Sequence, residues 1–68
     1  MNADDIKSFI RTGGRVFWKN RMYEVQQHQL RSGNDQWLIV CAHNNHAIGL
    51  THQDGRTLNG AESDFFTI

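Results

Sequence analysis

Residues 37–52 read WLIVCAHNNHAIGLTH, and the fold turns on how this stretch pairs with itself. Trp37 to Ala42 is an unbroken apolar run, the pattern of a strand covered on both faces. Asn44-Asn45 follows as a two-residue hairpin turn. His46 to Thr51 is then the return strand, and His43 faces His46 across the turn. The strand period of two puts Cys41, Trp37, Ile39, Ile48 and Leu50 on that same face. The opposite face is small: Leu38, Val40, Ala42, Ala47, Gly49 and Thr51. Small side chains admit the close approach of another element, and the expected one is an N-terminal helix carrying Phe9 and Ile10.

The same stretch raises a chemical question, because it holds the only cysteine and three of the four histidines of the chain. In the two-residue hairpin, Cys41, His43 and His46 would converge with Cβ atoms about 5–8 Å apart. His52 lies six residues beyond His46, roughly 20 Å along a strand, and cannot join them. Zinc sites usually bring two pairs of ligands, and this stretch brings one set. A cysteine amid Trp37, Ile39 and Val40 is expected to be buried and inert, since a nucleophilic thiol needs a thiolate-stabilising setting and an oriented base. The stretch therefore reads as a central hairpin, with no metal and no cofactor expected.

On the N-terminal side, Asn2 followed three residues later by Asp5 has the form of a helix N-cap with an acid near the dipole. Ile6, Phe9 and Ile10 recur at i, i+3 and i+4, and Gly13-Gly14 ends the element, so the spacing predicts a helix from Ala3 to Arg11. Arg15 to Trp18 is aromatic and β-branched, a strand pattern. Lys19-Asn20-Arg21 is read as a tight turn. Met22 to Gln29 alternates, with Tyr23 and Val25 on one face and Met22, Glu24 and Gln26 on the other. Arg31 to Asp35 is a loop dense in turn formers. Asp54-Gly55 and Asn59-Gly60 are two more turns, and the tail from Ala61 is expected to make one helical turn before a strand at Phe65 to Ile68. The fold class is α+β: a short N-terminal helix followed by a small, strongly bent antiparallel sheet of about five strands. A bent sheet limits exposed edges, and the expected architecture is an SH3-like partly open barrel.

Sixty-eight residues allow one domain, 1–68. One cysteine excludes an internal disulfide and points to a reducing, cytoplasmic setting. The N-terminus is acidic where a signal peptide needs base, and no run approaches the length of a membrane span, so no membrane partner is expected. The chain reads as a complete small gene product.

Net charge is zero, yet six of the seven basic residues lie between Lys7 and Arg31, and the acids concentrate at the two ends. Within RVFWKNRMYEV, Arg15 to Val25, cations interleave with aromatics. Arg15, Trp18, Lys19, Arg21, Tyr23 and Arg31 are the candidate binding residues. Trp, Tyr and Arg anchor protein interfaces. With no catalytic constellation and no phosphate-binding loop, the expectation is a small non-enzymatic binding protein acting through protein–protein contacts, with a protein partner or a homo-oligomer. The alternative is nucleic-acid binding, with cations on phosphates and aromatic faces on bases. A pI near 6.9 weighs against a strong non-specific binder.

Overall fold

The computed structural model describes residues 1–68. A helix α1 (Ala3–Arg11) precedes β1 (Val16–Trp18), β2 (Asn20–Gln29), β3 (Asp35–Cys41), β4 (Ala47–Gly49), a 3-10 turn (Glu62–Asp64) and β5 (Phe65–Thr67). The helix begins as its sequence dictates. Asn2 Oδ1 accepts from the Asp5 amide at 2.8 Å and Asp5 Oδ2 accepts from the Asn2 amide at 3.4 Å, which closes a capping box. Beyond Thr12 the chain turns out of the helix through Gly13, whose φ of 94° suits a residue without Cβ.

The five strands form one antiparallel sheet in the order β4-β3-β2-β1-β5. No ladder joins β4 to β5, so the sheet is open. Beyond β4 the chain makes one isolated bridge, Thr51 with Leu58, before the 3-10 turn. The longest ladder is β2–β3, seven residue pairs from Tyr23↔Cys41 to Gln29↔Asp35. No helix is long and apolar enough to cross a membrane.

The core lies on one face only. Ala3 and Ile6 of α1 pack with Val16, Val25, Ile39, Leu50, Leu58 and Phe65. Ile6, Ile39, Leu50 and Val16 are fully buried. Ile10, Trp18, Tyr23, Trp37 and Ile48 close the rim. Cys41 is buried as expected.

The structure corrects four details of the sequence reading. The helix covers the Trp37–Ile39–Leu50 face and not the small-residue face, and Phe9 stays largely exposed beside Gly14. Burial free energy scales with apolar area, so the face carrying the large side chains gains more from the only helix. It follows that β3 is covered on one face, and Leu38 and Val40 are only half-buried. The 44–45 hairpin turn is a four-residue loop, Ala42–Asn45, closed by Cys41 N–H to the His46 carbonyl at 2.8 Å and Asn45 N–H to the Cys41 carbonyl at 2.8 Å. Asn45 takes a left-handed φ of 58° there. Relative to a two-residue turn this slides the register by two, so Ile39 meets Ile48 and Val40 meets Ala47. A shift of two leaves every side chain on its predicted face. Finally, the turn expected over Lys19-Asn20-Arg21 contracts to Lys19, with Trp18 paired to Asn20 and an irregularity in the ladder before Phe17↔Glu24.

Candidate functional site

Trp18 and Tyr23 both point toward the helix-covered side, as the period of two requires of neighbours of Val16 and Val25. Their rings meet edge-on with centroids 5.4 Å apart, and Trp18 lies 6.4 Å from Phe65. Lys19 takes a left-handed φ of 64° and holds its Nζ 4.4 Å above the Trp18 ring. Gly60 passes against the indole, where an added Cβ would sit 2.8 Å from Nε1. That Nε1 is the single buried side-chain polar atom without a hydrogen-bond partner.

Arg15 goes elsewhere. It lies on the opposite face, where its guanidinium donates to Glu24 at 2.9 Å and 3.2 Å and stacks 5.2 Å from the Phe17 ring. The Glu24 hydrogen bond and charge raise its pKa further. Arg21 is exposed at the start of β2, and Arg31 is exposed in the loop after it. Arg21 to Gln29 alone spans about 26 Å at the rise of a strand. The structure thus brings Trp18, Lys19 and Tyr23 together, places Arg15 on the other face, and puts Arg31 at the far end of the sheet. Lys19, Arg21 and Arg31 have no ion-pair partner; the two salt bridges are Arg15–Glu24 and Arg11–Asp35.

A second aromatic under cations was not singled out from sequence. Lys7 Nζ and the Arg11 guanidinium sit 5.8 Å and 5.4 Å from the Trp37 ring centre. Their i, i+4 spacing on the predicted helix was the available signal. Lys7 also donates to the Gly55 carbonyl at 3.2 Å, tying helix to loop. His43 and His46 are exposed while Cys41 is buried, and no three His, Cys, Asp or Glu side chains converge.

The larger feature is the face without a helix. The registers align Phe66, Phe17, Glu24, Val40 and Ala47 as one row across all five strands. Phe66 stacks on Phe17 at 5.8 Å. Phe17 is buried beneath Phe66 and Arg15 although it lies outside the main core. Leu38 and Met22 extend the apolar surface, Met22 being 45% exposed. The only charge in the row, Glu24, is already paired. The sequence signal was the out-of-phase apolar set, Phe17 between Val16 and Trp18 and Phe66 beside Phe65.

No protein-family model matches this chain, and neither a curated protein nor a solved structure matches it.

Proposed function

We propose that the chain is a small non-enzymatic binding protein, an adaptor, subunit or inhibitor, that acts through protein–protein contacts. The observation that supports this most is the uncovered row Phe66–Phe17–Glu24–Val40–Ala47. An apolar sheet face with one internally neutralised charge suits a protein surface with an apolar centre. The exposed Met22 gives it an adaptable edge. A buried cysteine whose neighbouring His43 and His46 are exposed to solvent fits a binding role better than covalent catalysis. In architecture we take the open sheet as a partly open SH3-like barrel, supported by the strand order, the Thr51–Leu58 bridge and the 3-10 turn before β5. A free thiol in so small a chain supports a cytoplasmic location.

The test is capture of partners by the wild-type chain and by Met22→Lys and Ala47→Lys. Both residues are exposed, so thermal midpoints should hold, while the captured protein should be lost. Capture that is indifferent to both changes overturns the face as the docking surface. The free cations Lys19, Arg21 and Arg31 support the second reading, nucleic acid. Under it, reversing these three charges weakens binding, flattens the salt dependence by about one unit of slope per lost phosphate contact, and leaves an Arg56 reversal silent.

A further inference from the structure

The sheet has two edges, and they are finished differently. At β4 the chain's own return covers the Gly49–Thr51 end of the edge. Asn59 Nδ2 donates to the Gly49 carbonyl at 3.3 Å, the Asn59 amide donates to the Leu50 carbonyl at 2.9 Å, and Thr51 bridges Leu58. At β5 nothing comparable covers the edge. Lys19 N–H donates to the Asp64 carbonyl at 2.8 Å, which fixes the phase of the β1–β5 ladder. Alternation then makes Phe17/Phe66 the next hydrogen-bonded pair and turns the peptide groups of Phe65 and Thr67 outward. The Phe65 N–H is taken by the Glu62 carbonyl. The Phe65 carbonyl and both peptide groups of Thr67 have no partner outside the ladder.

Sheet edges are normally protected by Lys, Pro, bulges or a covering segment. Phe65-Phe66-Thr67-Ile68 has no charged side chain and no proline, and Ile68 is 69% exposed. The segment is also its own complement. In an antiparallel pair with a two-fold axis at Phe66, each Thr67 N–H meets the Phe65 carbonyl of the other copy. Phe66 then faces Phe66 of the other copy, both on the side of the uncovered row, and the Phe17–Phe66 stack becomes a run of four rings.

We propose that β5 is a self-association edge, and that its occupant is β5 of a second copy in an isologous antiparallel pair. This deepens the docking reading and rests on it only in taking the chain to act through protein contacts. A standard interface takes about 800 Å² per partner, roughly a sixth of the 4732 Å² surface. A three-residue strand covers less, so the dimer is weak and concentration-dependent. Its purpose is geometric: it doubles the apolar face into one surface across two copies.

Sedimentation from the micromolar to the millimolar range tests the proposal, paired with amide exchange. The apparent mass should climb from 7.9 kDa toward twice that value. Exchange at the Thr67 amide should slow as concentration rises, while the inward Phe66 amide stays constant. Thr67→Pro removes the outward N–H and leaves the ladder to β1 intact, since proline is tolerated at an edge position whose N–H faces solvent. It should remain monomeric with the wild-type melting midpoint. Thr67→Lys, which keeps the amide and adds an edge charge, should lower association as well and serves if the proline variant fails to fold. A wild-type mass that stays flat to millimolar concentration, or a Thr67 amide indifferent to concentration, overturns the proposal. So does a folded Thr67→Pro chain that dimerises like wild type. Association that responds only to an extended peptide of another protein identifies a different occupant and overturns it too. Met22→Lys and Ala47→Lys lie away from the edge and should leave the dimer intact, so loss of partner capture and loss of dimerisation are separate results.

Discussion

The two faces of the sheet are built from similar residues and meet opposite fates. One presents Val16, Val25, Ile39 and Phe65, and these are buried under Ala3 and Ile6 of the helix. The other presents Phe17, Phe66, Leu38 and Val40 and keeps only what it can shield by itself, Phe17 beneath Phe66 and Arg15. Adjacent residues on β3 show the contrast most directly: Ile39 is 1% exposed and Val40, one step along, is half-buried. One helix suffices for one face. The difference teaches that apolar character on a strand measures what could be buried, and that the supply of covering elements decides what is.

The comparison breaks first at those neighbours. Ile39→Ala should cost about 2–5 kcal/mol, because the side chain is fully enclosed and leaves a cavity. A domain of this size has about 3–5 kcal/mol in all, so the variant should be largely unfolded at room temperature. Val40→Ala should cost only about 1 kcal/mol, the transfer term for two partly exposed carbons. Urea melts of the two variants decide it. Equal losses would mean that the second face is covered in solution.

A smaller effect comes from loosening the cover instead of the core. Asn2→Ala removes the cap that accepts from the Asp5 amide and half of the capping box. The expected loss is about 1 kcal/mol, read as a lower midpoint with an unchanged denaturant slope. Exchange should quicken first in the amides of the α1 first turn and leave β2–β3 amides unchanged. A uniform acceleration would mean that the helix and the sheet unfold as one unit.

These local features were legible before the structure. The helix boundaries follow from Asn2 and Asp5 at one end and Gly13 at the other, each a signal local to its own terminus, and the β5 segment was legible in the same way. The faces of β3 and β4 were legible too, because the true register differs from a two-residue turn by two and parity survives. Which face the helix takes was not legible. Both sides of β3 are apolar, and small residues at Ala42, Ala47 and Gly49 suggest close approach while large ones at Trp37 and Ile39 promise more buried area. The candidate site was half legible for a related reason. Trp18, Lys19 and Tyr23 meet because they surround one turn. Arg15 leaves them by strand parity, taken up by Glu24, and Arg31 by the length of a ten-residue strand. Distances of that kind depend on pairing partners far along the chain.

The smallest expected effect concerns the loop that closes the rim of the covered face. Asp54 accepts from the Thr57 hydroxyl at 2.6 Å and from the Thr57 and Arg56 amides at 2.9 Å each. Those bonds, the hydroxyl's first, lower its pKa to about 2. The same loop offers the Gly55 carbonyl to Lys7 and sends Leu58 into the core. The carboxylate is fully solvated, so the contribution is modest and screened. Its sign is fixed. The folded pKa lies below the unfolded value of 3.8, so the unfolded chain takes up the proton first as pH falls. The contribution is complete above the unfolded value and is lost as pH drops through that window toward about 2. Asp54→Asn should therefore melt below wild type at neutral pH, and the gap should close as the solution is acidified through the same window. A gap that persists at the acid end would mean that Asp54 acts through the shape of its hydrogen bonds and not through its charge. The loop would then be held to the helix mainly by Lys7, and Lys7→Met should reproduce the loss without any dependence on acid.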